Sequence, residues 1–236
     1  MTTVTLQDGL SGYTGTRDTY MSDYSKTTNY GTNADFYANL YQYTPLIRFA
    51  IFESEGGPVP DGATINSATL YIYKYSNYNL DMTLNRLLRD WTETGATWNN
   101  WKSGSAWTTA KADSAGNDIE GTSYATYSNS NFGTNTWGSA DVTTDVSAWA
   151  GGTANYGWRA QVTSSNNERK FWSRDYTTDA TLRPYLVIDY TASSGINGAL
   201  AATLGNVTLA SAGTLALSGS AAITLGNVTT TATGSV

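Results

Sequence analysis

The chain has 236 residues and a formal net charge of −6, with no histidine and no cysteine. Those absences exclude Ser-His and Cys-His nucleophiles, histidine and thiolate metal centres, and disulfide staples, so packing and hydrogen bonds alone must hold the fold. No Lys/Arg run is longer than Arg169-Lys170, which excludes the basic stripe a nucleic-acid binder needs.

The opening stretch "MTTVTLQDGL" has no basic n-region and no apolar h-region, so no secretion signal is expected there. No segment approaches the ~20 apolar residues of a membrane helix. "TPLIRFAIF" (44–52) and "SATLYIYKY" (67–75) read as strands, with Gly56-Gly57, Pro58, Pro60 and Asp61-Gly62 as turn chemistry between them. In the second, Leu70, Ile72 and Lys74 share one face and Tyr71, Tyr73 and Tyr75 the other. Such an aromatic face suits a sandwich interior or a binding platform. "MTLNRLLRDW" (82–91) reads as a strand rather than a short helix, given its length and its Thr and Asn.

"DWTETGATWNNWKSGSAW" (90–107) carries four of the eight tryptophans among small and polar residues. They are either wedges in the fold or a surface for something flat. "DSAGNDIE" follows, with the hard oxygen donors Asp113, Asn117, Asp118 and Glu120, which makes calcium a candidate cofactor. The spacing is not that of an EF-hand, and an ordinary metal-free turn is the expected reading, so no cofactor is assigned.

"DVTTDVSAWAGG" (141–152) predicts a helical turn with Asp145 at its start, Val146 and Trp149 on one face and Gly151 as the stop. "YGWRAQVTSS", "ERKFWSRD" and "RPYLVIDY" complete a strand-rich end at Tyr190. Asn29-Tyr30-Gly31 recurs as Asn155-Tyr156-Gly157, and both read as tight turns whose glycine tolerates positive φ.

From Thr191 to Val236 there is no charged or aromatic residue, and "TLGNVT" at Thr203 returns 21 residues later at Thr224. "NVTLA", "GTLAL" and "AITLG" alternate as short strands do. Such strands have little core of their own, and their uncharged edges invite pairing with another chain. The apolar positions Leu204, Val207, Leu209, Leu215, Leu217, Ile223, Leu225 and Val228 are therefore expected to bury against copies of the chain or a larger assembly.

Residues 1–190 resemble the DNRLRE-type β-sandwich domain, which is related to carbohydrate-binding modules. The resemblance is carried, in order, by "LQDGLSGYTGTRDTYM", "NYGT", "LIRFAIF", "VPDGATINSATLYIY", "WTETGATWNNW", "DVTTDVSAWAGGTANYGW" and "WSRD…LRPYLVIDY". It implies a jelly-roll-like sandwich and a non-catalytic glycan-binding role. The family shows Glu where this chain has Asp175, a shorter reach for a buried Arg pairing. Some relatives bind acidic polysaccharide through basic residues, but the acidic balance here argues against a polyanionic ligand. The tail is similar to Thr/Leu/Gly repeats of phage structural proteins.

No catalytic residue is assigned. The visible carboxylate pairs for glycoside hydrolysis are Asp90 with Glu93, Asp141 with Asp145, and Glu168 with Asp175, and each has a capping, turn or salt-bridge explanation. Trp91 and Trp98 lie inside the family pattern and read as structural. Trp101 and Trp107 are the candidates for stacking on a sugar, with Asn99, Asn100 and Lys102 as hydrogen-bonding neighbours.

The expectation is thus an all-β, jelly-roll-like sandwich over residues 1–190 and a small C-terminal β-repeat segment, 191–236, for oligomerisation or docking. The leading functional expectation is a non-enzymatic virion surface protein, a phage capsid decoration or fibre assembled in the host cytoplasm. The alternative is the carbohydrate-binding module of a secreted bacterial protein, working outside the cell. Polysaccharide is a candidate ligand, and neither nucleic acid nor membrane is an expected partner.

Overall fold

Short segments with two-residue alternation give strands, and turn residues set where each ends. The computed structural model describes residues 1–76, 78, 82–123, 125–127, 134–164 and 166–193. The chain divides into two units, Met1–Gly195 and Ile196–Val236. The second lies outside the described residues, and with it the eight apolar positions from Leu204 to Val228.

The strands in chain order are β1 (Thr2–Gln7), β2 (Thr16–Ser22), β3 (Asp35–Ala38), β4 (Tyr43–Phe49), β5 (Thr64–Lys74), β6 (Met82–Arg86) and a small hairpin, β7 (Asn100–Lys102) with β8 (Ser105–Ala106). There follow β9 (Ala125–Tyr127), β10 (Thr136–Asp141), helix α1 (Thr143–Ala150), β11 (Trp158–Val162), β12 (Arg169–Trp172) and β13 (Tyr185–Thr191). One antiparallel sheet runs β1-β13-β5-β12-β3, with β10 also paired to β5; the other runs β2-β4-β11-β6-β9. This is the expected all-β sandwich. Most successive strands alternate between the two sheets; β6 and β9 share the second, and β12 and β13 the first.

The interior is built from alternate positions of both sheets. Leu6, Phe36, Leu70, Ile72, Phe171, Leu186 and Ile188 of the first meet Tyr20, Ile47, Phe49, Leu84, Trp158 and Val162 of the second. Each such aliphatic or Phe side chain contributes about 1.5–3 kcal/mol by leaving water. In a chain without disulfides, this row of contacts is the main stabilising term.

The helical turn forms as predicted, with Val146 and Trp149 buried on one face and Gly151 at its end. Of the two aspartates expected to cap or support this turn, Asp141 does so and Asp145 does not. Asp141 supports the turn, its Oδ1 accepting from Thr143 N at 2.9 Å. Asp145 points inward: Oδ2 accepts from Trp158 Nε1 at 2.7 Å, and Oδ1 lies 3.5 Å from Arg86 Nε. Burial raises its pKa despite those two partners.

The repeated Asn-Tyr-Gly tripeptide makes the same local bond twice. Asn29 Oδ1 accepts from Gly31 N and Asn155 Oδ1 from Gly157 N, both at 3.0 Å. These are Asx turns. Each asparagine amide then bolts a distant segment, Asn29 to Glu93 O and Ala96 O, Asn155 to Phe49 O and Glu55 Oε2. Gly157 has the expected positive φ, 73°. Gly31 does not: it is required by close approach, since a Cβ there would stand 2.2 Å from Glu93 O.

Replacing Asp145 by Ala strands a buried indole N–H and removes one of the two carboxylates beside Arg86, Glu120 being the other. The loss expected in chemical denaturation of the full chain is about 3–5 kcal/mol, the usual cost of breaking a buried pair. Asp145→Asn, which keeps an acceptor for the indole, should lose clearly less.

Candidate functional site

Strand β5 lies within its sheet, and its alternation decides what each face carries. Leu70, Ile72 and Lys74 are buried towards the core, so Tyr71 and Tyr73 stand on the outer face, half-buried. The aromatic row is therefore not part of the sandwich interior, one of the two placements its pattern allowed.

Register extends the row sideways. Trp137 of β10 lies opposite Tyr73, and Tyr185 of β13 opposite Tyr71. Tyr71 and Tyr185 stack with ring centres 4.5 Å apart. Trp137 sets its edge against Tyr73 at 5.3 Å and Tyr185 at 4.8 Å. Beyond β5, Tyr75 stacks on Trp172 of β12 at 4.0 Å, and Trp172 on Tyr176 at 3.9 Å. Asp35, opposite Trp172 in the β12–β3 register, accepts through Oδ2 from Tyr75 OH at 2.7 Å and Tyr37 OH at 3.2 Å. Burial first, then this carboxylate, pushes the Tyr75 phenol far up, so it remains a donor. Lys170 Nζ sits 4.9 Å from the Tyr37 ring centre and 2.9 Å from Glu168 Oε1. The outer face of this sheet thus carries a belt of seven half-buried rings with polar groups at one end.

The outer face of the other sheet is occupied. Met21 of β2 and Leu46 of β4 face outward into a second apolar cluster, formed with Leu87, Trp91, Ala96, Trp98, Trp107, Ala112 and Ile119. Trp91 Nε1 donates to Tyr156 O at 2.8 Å and Trp107 Nε1 to Thr97 O at 3.0 Å. Trp91 and Trp98 are wedges, as their place in the pattern suggested.

Trp107 is a wedge too. The expectation that it faces ligand is corrected by its 5% exposure, which leaves no ring face for a sugar. The other four candidates gather on the β7–β8 hairpin and the residue before it. Trp101 is half-buried against the second cluster with Lys102 Nζ 4.3 Å from its ring centre, while Asn99 is exposed and Asn100 half-buried.

The calcium reading is corrected on the same grounds. Asp118 is fully buried and accepts from Thr108 N at 3.0 Å and Thr109 N at 2.9 Å, with Arg89 Nε at 3.4 Å. Burial pushes its carboxyl up, but those amides and Arg89 outweigh it and hold it below the usual range. Asp113 pairs with Arg159 at 2.7 Å, Glu120 with Arg86 at 3.2 Å, and Asn117 bonds Ser114 at 3.1 Å. The four side chains serve four different contacts and do not converge. The suspected catalytic carboxylates are likewise engaged elsewhere: Asp90 with Arg48 at 2.8 Å, Glu168 with Lys170.

A carboxylate cluster the sequence reading missed joins Asp18 to Glu93 and Asp175, with oxygens all within 4.8 Å. Among the described residues it is the one such group with metal-ligand spacing. Asp18 accepts from Arg174 N at 2.7 Å and donates its own N–H to Glu93 at 2.9 Å. Arg174 Nε stands 3.3 Å from Glu93 and 3.5 Å from Asp175, so a positive charge already faces the three acids. The Asp175 pairing exists, at half-burial. The cluster ties β2, the turn after Trp91 and the segment after β12 together. Burial, reinforced by Glu93 and Asp175, holds Asp18 well above the aspartate range, and burial raises Glu93. The "RDTYM", "WTE" and "SRD" stretches of the family pattern each supply one member, which is the signal that could have found it.

Residues 10–120 match the model of carbohydrate-binding module family 96. The match supports a carbohydrate-binding β-sandwich domain. It spans Asp35, Tyr37, Tyr71, Tyr73, Tyr75 and the tryptophan loop, while Trp137, Trp172, Tyr176 and Tyr185 lie beyond it. No curated protein matches the chain.

A carboxyl whose folded pKa is raised adds stability that is full below its ordinary value and is lost as pH rises through the folded one. For Asp18 that window opens at 3.8 and extends upward. Stability of the full chain measured against pH should therefore fall less steeply above pH 3.8 in Asp18→Asn than in the parent chain. Equal slopes would show that Asp18 is not held protonated.

Proposed function

We propose that the chain is a carbohydrate-binding module that holds its glycan across the aromatic belt of the β5 sheet. One observation carries the reading. The outer face of one sheet is closed by a tryptophan-rich loop, while the other is paved with rings and carries no such cover among the described residues.

A pyranose has C–H-rich faces that pack on aromatic carbon and a rim of hydroxyls that need partners. The belt supplies both. Tyr71 and Tyr73 on β5 and Tyr75 just past its end repeat every second residue, about 6.6 Å apart, and give a chain-like ligand successive contacts. Asp35, Lys170 and Ser139, which lies opposite Tyr71 in the β10–β5 register, offer acceptors and donors beside them. Mutual stacking already fixes the rings, so binding costs little rotamer entropy. An aromatic, mostly apolar surface with few placed polar groups is the usual composition of a ligand site.

The role is binding without catalysis, in keeping with a family of binding modules, and it fits a protein working outside the cell or at a surface. The virion setting rests on the tail beyond residue 193, outside the described residues, and draws no support from the match.

Affinity electrophoresis of the full chain against a polysaccharide panel tests this. Tyr73→Ala/Trp137→Ala should weaken retention at least tenfold, about 1.4 kcal/mol, with an unchanged circular dichroism spectrum. Trp101→Ala/Lys102→Ala should leave retention within about twofold, some 0.4 kcal/mol. The reverse pattern would move the site to the β7–β8 hairpin.

A further inference from the structure

We infer that the ring on which the glycan stacks at the far end of the belt is Tyr176, with Trp172 as the spacer behind it, and that the belt takes an extended chain rather than one or two sugars. The inference rests on the sheet-face reading above. A sugar's C–H groups are drawn to the electron-rich face of an aromatic ring, not to its electron-poor edge, so the rings that matter are those with a face left open. Tyr75 and Tyr176 both stack on Trp172, with ring centres 4.0 and 3.9 Å away and planes tilted by 17° and 8°. Two rings that close cannot share one face without overlapping, so both faces of Trp172 are covered. Being half-buried, it turns only its edge to solvent.

The end rings of that stack, Tyr75 and Tyr176, each keep one face off it. Tyr75 lies inside the belt, two residues from Tyr73, whereas Tyr176 closes it. The segment that carries Tyr176 is fixed before any ligand arrives. Arg174 N donates to Asp18 at 2.7 Å and Ser173 N to Ala34 O at 3.0 Å, Tyr176 N donates to Ser173 O at 3.2 Å, and Tyr176 O accepts from Arg183 Nε at 2.8 Å. A plate held in this way costs little ordering when it binds. In the other group of rings Trp137 crosses Tyr73 at 75° and Tyr185 at 69°, so it stacks on neither. Tyr73 and Tyr75 are already about 6.6 Å apart, and Tyr176 lies two stacking steps beyond Tyr75. One pyranose cannot lie on both Trp137 and Tyr176, and full binding needs a chain that reaches across.

The test is isothermal titration calorimetry of the full chain with disaccharides and hexasaccharides of cellulose, xylan, mannan and polyguluronate. The hexasaccharide that binds should do so at least about tenfold more tightly than its disaccharide. It should lose at least about tenfold in Tyr176→Ala and in Tyr176→Leu, which keeps apolar bulk beside Trp172, with unchanged circular dichroism spectra. Tyr176→Phe, which keeps the ring face, and Trp172→Phe, which keeps a spacer, should each stay within about threefold. Hexasaccharide affinity within about twofold of the parent chain's in Tyr176→Ala, a larger loss in Trp172→Phe than in Tyr176→Ala, or a disaccharide that binds as tightly as the hexasaccharide would overturn the inference. Tyr73→Ala/Trp137→Ala separates it from the sheet-face reading. If that variant loses the hexasaccharide while Tyr176→Ala keeps it, the sheet-face reading stands and this inference falls. If that variant keeps it, or if no probe binds the parent chain, the sheet-face reading fails, and this inference with it.

Discussion

Strand β5 cannot turn its aliphatic and its aromatic residues to the same side. Successive side chains on an extended backbone point to opposite faces, so once Leu70 and Ile72 are committed to the core, the tyrosines between them must face outward. A slip of one residue would bury three phenols and expose the aliphatics. Antiparallel neighbours on both sides of β5 hold the register: β10 pairs with it from Thr69 to Lys74 and β13 from Thr64 to Tyr71. The belt follows from that commitment, because Trp137 and Tyr185 arrive opposite tyrosines whose direction is already fixed.

The two sheets solve the problem of their outer faces differently. On the β2–β4 side, outward Met21 and Leu46 are covered by the excursion between β6 and β9, which brings its own tryptophans. An indole buried there removes about 150–250 Å² from water, and the N–H groups of Trp91 and Trp107 find backbone acceptors. The buried amides of that excursion are met by Asp118, and its near end is fastened by Asn29 and the Asp18–Glu93 pair. The excursion is therefore a cover for one sheet. It leaves the opposite face as the broad aromatic surface of the described fold, which is the surface proposed to hold glycan.

Much of the architecture was legible. Alternation located β4, β5 and the last three strands, and the spacing of Val146 and Trp149 located the helix. The proposed binding face was legible only in part, since the sequence shows Tyr71, Tyr73 and Tyr75 on one side of a strand but not which side meets water. Trp137, Trp172 and Tyr185 are far from them in the chain, and only strand pairing brings them alongside. Density of tryptophan between residues 90 and 107 was the stronger local signal and pointed to the wrong indole, because the small residues beside Trp107 are indeed exposed while its own side chain turns inward against residues distant in the chain, Met21 and Leu46 among its cluster. Asp113, Asn117, Asp118 and Glu120 read as one oxygen-rich loop for a similar reason: spacing does not reveal that Asp118 turns inward while Asp113 and Glu120 reach for separate arginines and Asn117 for Ser114. Gly31 shows the same limit, as its need arises from the distant Glu93 carbonyl rather than from its own turn.

The indole groups themselves report which face meets the ligand. With nitrogen-labelled tryptophan, the N–H resonances of Trp91, Trp107 and Trp158 should exchange slowly with solvent and stay in place when a retained oligosaccharide is added. Those of Trp137 and Trp172 should move. If Trp101 shifts instead while Trp137 and Trp172 hold still, the belt is not the binding face and the account given for it is wrong.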